Sequence, residues 1–376
     1  MLLLSGPNMG GNELKYITEC IETGWVSSVG AYVDQFEKMT AAFAGTKYAV
    51  ATSSGTTALH ICLIITGVNE NDLIIVPNIT FVASLNSIKY TGASPILIDA
   101  DEKNWQIDLN LLQEFLEKET IQKENTCYHK KTGKRIPVIM PVHVLGNICD
   151  MNRLLMLAKQ HNLIVIEDST EALGSYYKGA HSGSMGLLGT FSYNGNKIIT
   201  TGGGGMIVTN DEKLAKRAKH LTTQAKSDPF EYMHDEVGYN YRLVNVAAAM
   251  GVAQMEQLPL FLIRKKEIIA FYKEALEGIG DIEFQQVTND VTPNWWMPTI
   301  KSSRQRDILK VLNENKMQSR PFWVPMNQLP MFARDIYFQK TDRSDFLYKT
   351  CLSIPCSTNI TNEDLKEVSN KIKTLF

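Results

Sequence analysis

The sequence predicts an α/β protein built on a mostly parallel sheet, and two observations lead to this prediction. Apolar, β-branched runs alternate with segments of helix length, which is the order of repeated strand and helix units. The runs are apolar along their whole length, as expected of strands that are buried on both faces. A long helical stretch at 251–277 then ends the alternation, and shorter strands and helices follow it.

Each predicted element is placed by the residues that form it. Predicted strands occupy 48–51, 73–76, 94–98, 137–142, 163–166 and 206–209. Predicted helices occupy 56–66, 81–91, 109–119, 150–161 and 211–220, and short strands around 281–300 precede a polar C-terminal helix from 362. We expect a large α/β domain over residues 1–245 and a smaller α+β domain over 246–376, joined by the long helix.

The composition argues against several classes of protein. The 376 residues include 38 Lys and Arg against 40 Asp and Glu, so the net charge of −2 offers no basic field to nucleic acid or an anionic membrane. The first residues lack a basic n-region, and no apolar stretch has the length of a membrane span. The six cysteines form no CxxC pair, which fits neither a disulfide framework nor a zinc site. We expect a cytoplasmic protein that binds no metal, nucleic acid or membrane.

The first candidate site follows the strand at 48–51. Hydroxyl residues and a glycine open the next helix at Ser54, Gly55 and Thr56. Free backbone amides and the helix dipole make such a helix start a site for a phosphate group. The alternative is an ordinary N-cap, because serine and threonine are preferred there in any helix.

The second candidate is Asp168, which comes directly after the strand at 163–166. A carboxylate at that edge of a parallel sheet could face a cationic ring nitrogen and hold its proton, because ligands bind beyond the carboxyl ends of the strands. The alternative is that Asp168 caps a following helix.

Two further segments are candidates. Lys197 is a lone lysine among small and apolar residues, and the four glycines 202–205 follow it. A buried lysine has a lowered pKa and can form a Schiff base, although glycine runs also occur in plain loops. The order of lysine before glycines is the reverse of a P-loop. The segment 238–245 contains Asn240 and Arg242 before an alanine-rich stretch, and close helix packing would by itself explain it.

The four segments together occur in an order and at spacings that resemble the DegT/DnrJ/EryC1/StrS family of sugar aminotransferases. The resemblance extends from 24–27 and Phe81 to the segment between Pro321 and Pro330. It implies fold type I of the enzymes that depend on pyridoxal phosphate (PLP), an aspartate aminotransferase-like fold. Such a fold has a large domain with a mostly parallel sheet of the seven-stranded type and a smaller α+β C-terminal domain.

The resemblance also implies a role for each matched residue. Lys197 would carry PLP as a Schiff base and move the proton during the reaction, and Asp168 would face the pyridine nitrogen. Phe81 would stack on the ring, and Asn240 would reach the phosphate of the neighbouring subunit's cofactor, which implies a homodimer with shared active sites. The residues implied to hold the phosphate are Ser54, Gly55, Thr56 and Ser192.

The chain departs from the family pattern at three places. Glu171 stands where the family commonly has Gln or His near the phenolic oxygen of the cofactor, and we expect it to be a protonated donor to that oxygen. Residues 202–205 are all glycine where Gly-Glu-Gly-Gly is usual, and Asn327 replaces a common histidine. The candidates for substrate contact are Trp25, Arg242, Arg320 and Asn327.

The implied function is transfer of an amino group, from glutamate, to the keto carbon at C4 of a nucleotide-linked 6-deoxy sugar. Segments such as 5–8, 24–30 and 319–323 resemble the branch that serves legionaminic-acid-type pathways, which implies a UDP-linked 4-keto-6-deoxy-N-acetylhexosamine. One alternative is a PLP-dependent sugar dehydratase, which typically has histidine at the position of Lys197. The other is a PLP-binding sensor without turnover, which the pair of Asp168 and Lys197 disfavours.

Overall fold

The computed structural model describes residues 1–228 and 230–376. The α-helices are α1 (Glu13–Thr23), α2 (Ala31–Ala44), α3 (Gly55–Ile65), α4 (Ala83–Tyr90), α5 (Leu109–Glu119), α6 (Met151–Gln160), α7 (Glu212–Thr222), α8 (Asn245–Leu276), α9 (Gln305–Glu314), α10 (Arg343–Thr350) and α11 (Asn362–Lys373). The strands are β1 (Tyr48–Thr52), β2 (Leu73–Pro77), β3 (Ser94–Ile98), β4 (Thr120–Lys123), β5 (Thr126–His129), β6 (Val138–Ile139), β7 (Ile164–Asp168), β8 (Tyr176–Tyr177), β9 (Ala180–His181), β10 (Leu188–Ser192), β11 (Gly205–Thr209), β12 (Glu283–Phe284), β13 (Val291–Thr292), β14 (Thr299–Lys301), β15 (Arg320–Pro321), β16 (Ile336–Phe338) and β17 (Cys351–Ser353).

The main sheet confirms the predicted fold class. Its eight strands lie in the order β1-β11-β10-β7-β6-β2-β3-β16, and every neighbouring pair is parallel except the two that involve β11. Strand β2 shows why its sequence is apolar throughout. Ile74 and Val76 belong to one hydrophobic core, whereas Leu73 and Ile75 belong to a second, because successive side chains point to opposite faces of the sheet.

Most predicted elements are present, with shifted bounds. The strand predicted at 137–142 pairs as a strand only at Val138–Ile139. Strand β10 was not among the predicted strands, although its residues were part of the candidate segment around Lys197. Helix α8 begins at Asn245 rather than at 251, because the alanine-rich stretch is helical as well.

Helix α8 is long and apolar enough to cross a membrane by length and composition. Half of its most apolar window is buried inside the protein, where the helix packs against α1 and α2. The core helix of a folded domain meets the same criterion, and this helix is one.

The division into domains at residue 245 remains a prediction. A small antiparallel sheet, β12-β14-β17-β15, is built entirely from residues after α8. Strand β16 also comes from that part of the chain, but it pairs with β3 and adds an eighth strand to the main sheet. The C-terminal part of the chain therefore covers one edge of the large sheet as well as forming a sheet of its own.

The strand order brings distant residues to one edge of the main sheet. Strand β7 ends at Asp168 and its parallel neighbour β10 ends at Ser192, so both side chains emerge at the same edge. Gly205 pairs with Ser192 on one side and with Thr52 on the other, which places the start of α3 beside them. A Cβ atom at Gly205 would lie 2.3 Å from the Ser54 carbonyl oxygen, so only glycine fits this contact.

Candidate active site

A cavity of about 480 Å³ opens at this edge of the main sheet, and we refer to it as the lysine cavity. Its size is that of a pocket for a small molecule. The predicted site residues that line it are Ser54, Gly55, Thr56, Phe81, Asp168, Glu171, Ser192, Lys197 and Arg320. The structure therefore brings together residues that are spread over most of the chain.

The start of helix α3 forms one wall. Ser54 is the N-cap: its Oγ accepts a hydrogen bond from the Thr57 amide (3.1 Å), and Thr57 Oγ1 accepts one from the Ser54 amide (3.0 Å). The N-cap alternative is therefore correct, and it leaves the amides of Gly55 and Thr56 available, because first-turn amides have no partner within their helix. A Cβ atom at Gly55 would lie 2.9 Å from Ser192 Cβ, so the backbone here is close-fitting. The geometry fits an anionic group such as a phosphate.

Asp168 is buried and held by three hydrogen-bond donors. Ser84 Oγ donates to Oδ2 (2.6 Å), and the Thr170 hydroxyl (2.7 Å) and amide (3.2 Å) donate to Oδ1. These contacts fix the direction of the carboxylate at the cavity wall. No helix follows Asp168 in the described structure, where the next residues form turns, so the helix-capping alternative is wrong.

The preceding acid, Glu167, points away from the cavity wall because alternate strand residues face opposite sides. It accepts hydrogen bonds from the buried His143 ring (2.8 Å) and from the amides of Gly183, Met185 and Gly186 (2.9, 2.7 and 2.6 Å). Burial raises the pKa of Glu167, but these donors outweigh it and leave the pKa below its ordinary value. Glu167 is therefore a structural anion.

The Lys197 amine lies between an acid and an aromatic ring. Its Nζ is 3.9 Å from Glu171 Oε1 and 3.9 Å from the centre of the Trp296 ring. Burial lowers the pKa of Lys197, although the carboxylates of Glu171 and Asp168 act in the opposite direction. A lowered pKa makes the neutral, nucleophilic amine available closer to neutral pH.

Glu171 is buried beside this amine. Its Oε2 accepts a hydrogen bond from the Leu145 amide (2.8 Å), which leaves Oε1 toward Lys197. Burial raises the pKa of Glu171 to about 7 and Asp168 adds to this effect, whereas Lys197 and the Leu145 amide reduce it. The direction agrees with the expectation of a protonated carboxyl group. Its contact with a cofactor oxygen remains a prediction.

Four predicted residues do not line the lysine cavity within one chain. Trp25 and Arg242 line a second cavity of about 620 Å³, together with Tyr32 and Lys219, and we call this the arginine cavity. Asn240 is exposed and forms a backbone bridge with Thr223.

Asn327 is the fourth of these residues. It forms two hydrogen bonds with Asn78: the Asn78 amide group donates to Asn327 Oδ1 (2.8 Å), and the Asn327 backbone amide donates to Asn78 Oδ1 (3.0 Å). This reciprocal pair uses the Asn327 side chain to join the segment after β15 to the loop after β2. A substrate contact by Asn327 therefore remains a prediction.

Other residues of the lysine cavity were not identified from the sequence. They include Trp296, Met297, Trp323 and Ser353 from the C-terminal part of the chain. The only sequence signal for Trp296 is the tryptophan pair at 295–296, and nothing in it indicates a contact with a lysine about 100 residues earlier. Ser84 was missed because a serine within a predicted helix has no distinguishing pattern.

Comparison with known proteins decides the family. The model of the DegT/DnrJ/EryC1/StrS aminotransferase family matches residues 7–373. The chain belongs to this family. GDP-perosamine synthase of Escherichia coli O157:H7 is 36% identical over 373 residues, which cover 98% of this chain and 97% of the relative. EpsN of Bacillus subtilis, named as a pyridoxal phosphate-dependent aminotransferase, is 34% identical over 381 residues, which cover 100% of this chain and 96% of EpsN.

Solved structures agree with this assignment. DesV of S. venezuelae, determined in complex with a ketimine intermediate, superposes with a TM-score of 0.87 at 26% identity, covering 97% of this chain and 94% of DesV. The protein is thus a PLP-dependent sugar aminotransferase of fold type I, as the sequence resemblance implies. The branch that serves legionaminic-acid-type pathways remains a prediction.

Proposed function

We propose that this aminotransferase transfers an amino group from glutamate to the C4 keto carbon of a nucleotide-linked 6-deoxy sugar. The observation that supports it best is the composition of the lysine cavity. Lys197 and Asp168 stand on the side of the main sheet, and Arg320 and Trp323 come from the C-terminal part of the chain. A cavity with one reactive amine and a separate polar and aromatic wall suits a cofactor plus a sugar.

The residues present fit PLP. The first-turn amides of α3 and the hydroxyl of Ser192 would hold its phosphate, and Asp168 would hold the proton on its ring nitrogen. Phe81 lines the same cavity and is 54% exposed, so it would be available to cover the ring. When bound, PLP supplies a carbonyl group that carries the amino group and a ring that accepts electrons.

The chain's own groups would move the proton. Lys197 takes a proton in its neutral form and returns it in its charged form, so it is the general base and acid. Glu171 keeps its proton up to about neutral pH and would donate a hydrogen bond at the cofactor oxygen nearest to it.

The substrate would be recognised in two parts. A nucleotide-linked sugar is too large to lie wholly in a cavity of about 480 Å³ beside the cofactor, so the nucleotide would extend toward the surface past Arg320. Binding energy from this remote part would position the reacting carbon. The name of the E. coli relative adds GDP to UDP as a candidate nucleotide.

A homodimer is part of the proposal. Trp25, Val29 and Val244 are apolar and are 57%, 64% and 41% exposed. The Asn245 amide donates a hydrogen bond to the Ser27 carbonyl, so the two segments that carry these side chains are neighbours. A second copy of the chain would cover them and bring Asn240 toward the cofactor phosphate of its neighbour. We further propose that the enzyme acts in the cytoplasm.

Absorbance spectroscopy of the PLP-loaded protein tests the proposal. Addition of glutamate should convert the aldehyde form of the cofactor to its amine form, and addition of a GDP- or UDP-linked 4-keto-6-deoxy sugar should reverse the change. We expect a much higher kcat/KM for the nucleotide sugar than for the free keto sugar. A preference for a 3-keto sugar would reject C4 as the site of reaction. A preference for simple keto acids would reject the sugar substrate, and no response to glutamate would favour the sensor alternative.

A further inference from the structure

Lys265, on helix α8, is a buried lysine outside the lysine cavity. Its side chain is 1% exposed, and among the residues that the structure describes no carboxylate lies within ion-pair distance of it. Its Nζ instead donates to the Trp296 carbonyl (2.8 Å), the Cys356 carbonyl (2.7 Å) and Cys356 Sγ (3.3 Å). Burial of a charged amine without a counter-charge costs free energy of folding. These three contacts offset part of that cost, and they indicate that the lysine has a particular role at this position.

The first acceptor belongs to the residue that faces Lys197. Trp296 is 2% exposed, and each of its polar groups has a partner. Its backbone amide donates to Asn294 Oδ1 (2.9 Å), its indole Nε1 donates to the Asn196 carbonyl (2.6 Å), and its carbonyl accepts from Lys265 and, more weakly, from Cys356 Sγ (3.4 Å). The ring is therefore held at its Nε1 and through the backbone that carries it, and its centre lies 3.9 Å from Lys197 Nζ.

An indole face attracts a cation, and tryptophan does so more strongly than the other aromatic residues. The orientation of the ring therefore influences where the Lys197 amine lies and how firmly it holds a proton. The charged groups that face the Lys197 amine are Glu171 and Asp168. Of these neighbours, Trp296 is the one that a hydrogen bond from Lys265 ties to helix α8 in the described structure.

We propose that Lys265 is a positioning residue for Lys197, and that it acts by fixing the indole ring of Trp296. This inference rests on the proposed role of Lys197 in the reaction. Lys265 itself touches no reacting atom: it ties α8 to the segment that carries Trp296 and to Cys356, next to the end of β17.

The test is made on the protein without cofactor, so that it is independent of turnover. Reductive methylation with formaldehyde and cyanoborohydride, measured at Lys197 by peptide mass spectrometry over a range of pH, gives the pH of half-maximal labelling. In Lys265→Met the Trp296 carbonyl loses its 2.8 Å donor and keeps only the 3.4 Å contact from Cys356 Sγ, so the backbone that carries the ring is held less firmly. We expect the midpoint for Lys197 to fall by about 0.5 pH unit, because a cation–π contact contributes roughly this much.

Tyr272→Phe is the matched control. Tyr272 lies two turns further along the same face of α8, is fully buried, and donates from its hydroxyl to the Pro355 carbonyl (2.7 Å), beside Cys356. Its hydroxyl binds Pro355 rather than Trp296, so its variant should lose stability without moving the Lys197 midpoint. Trp296→Phe should lower the midpoint at least as much as Lys265→Met, and the double variant should match Trp296→Phe alone.

Two outcomes would overturn the inference. One is a Lys265→Met protein whose labelling midpoint equals that of the wild type, and the other is a double variant with additive shifts. If Lys265→Met does not fold, Lys265→Gln replaces it with the same expectation, because the amide cannot reach all three acceptors. Loss of the proposed function would instead appear as absent turnover with the labelling results unchanged, so the two failures are distinguishable.

Discussion

The lysine cavity and the arginine cavity differ in how their side chains are held. Asp168, in the first, is buried and receives three hydrogen bonds from groups of the same chain. Trp25, in the second, is 57% exposed, and the terminal Nη2 of Arg242 makes one long hydrogen bond of 3.4 Å to Gln224. One chain therefore holds the Asp168 carboxylate in place by itself, whereas the exposed Trp25 in the second region agrees with the proposed homodimer, in which a second copy would cover it.

The largest effect is expected at the centre of the lysine cavity. Lys197→Ala should still bind PLP through the phosphate contacts but should lose turnover by about 10³-fold or more, because the amine that binds the cofactor and moves the proton is removed. Steady-state kinetics with glutamate and a keto sugar nucleotide measures this loss. The control is Lys178→Ala, which removes a lysine whose side chain is 47% exposed. Borohydride reduction of the loaded wild type should label Lys197, and a label on another lysine would refute the assignment.

The second prediction concerns Asn240, whose backbone bridges Thr223 at the arginine cavity. It tests whether Asn240 acts on the cofactor of a partner chain. Asn240→Ala should bind PLP about tenfold more weakly, because a hydrogen bond to a charged phosphate is lost. When Lys197→Ala and Asn240→Ala protomers are mixed at a PLP concentration too low to load the Asn240→Ala homodimer, heterodimers contain one intact site, and up to about a quarter of wild-type activity should return. If heterodimers are demonstrated by native mass spectrometry and no activity returns, Asn240 acts within its own chain or is structural.

The third prediction concerns the hydrogen bond from Ser84 to Asp168, which forms within one chain. Ser84→Ala removes the 2.6 Å donor to Asp168 and should lower kcat about three- to tenfold with little change in KM, because the carboxylate loses part of its orientation. Ser87→Ala is the matched control, since Ser87 Oγ, on the same helix, donates to the Ser84 carbonyl rather than to Asp168. Equal kcat values for the two variants would contradict the positioning role of Ser84.

The smallest change in rate is expected for Glu171→Gln, which should stay within about threefold of wild type at its optimum. In the wild type, Glu171 becomes negative as pH rises through its pKa of about 7, and this charge helps Lys197 keep its proton. Glutamine carries no charge, so the pKa of Lys197 falls and the neutral amine forms at lower pH. The acid limb of kcat/KM against pH should therefore move down by about one unit. If both limbs of the pH profile of kcat/KM are unchanged in Glu171→Gln, Glu171 takes no part in the proton transfer.

The predicted and observed strands agree best where a run is apolar throughout. β2 and β3 fall within one residue of their predicted bounds, because strands buried on both faces have no polar position to interrupt the run. β16 was not predicted, since Ile336–Phe338 is short and partly buried and its partner is β3, far away along the chain.

The fold class, the family and most residues at the edge of the main sheet could be inferred from the amino-acid sequence. Asp168 could be identified because it follows a predicted strand, and the start of α3 because its cap and glycine are local features, whereas Ser192 was implied by the family resemblance. Local sequence sets these elements, and parallel pairing then brings their carboxyl ends together.

The surroundings of Lys197 could not be inferred in this way, because they depend on tertiary contacts. The Trp296 ring, the hydrogen bond from Lys265 to the Trp296 carbonyl and the approach of Glu171 Oε1 depend on helix α8 and the C-terminal segments packing against the main sheet. Strand alternation turns Glu167 away from Asp168, and tertiary structure then supplies His143 as its partner. Contacts between residues far apart along the chain leave no periodic signal, so their pairing follows from the packing of the cores rather than from any local pattern.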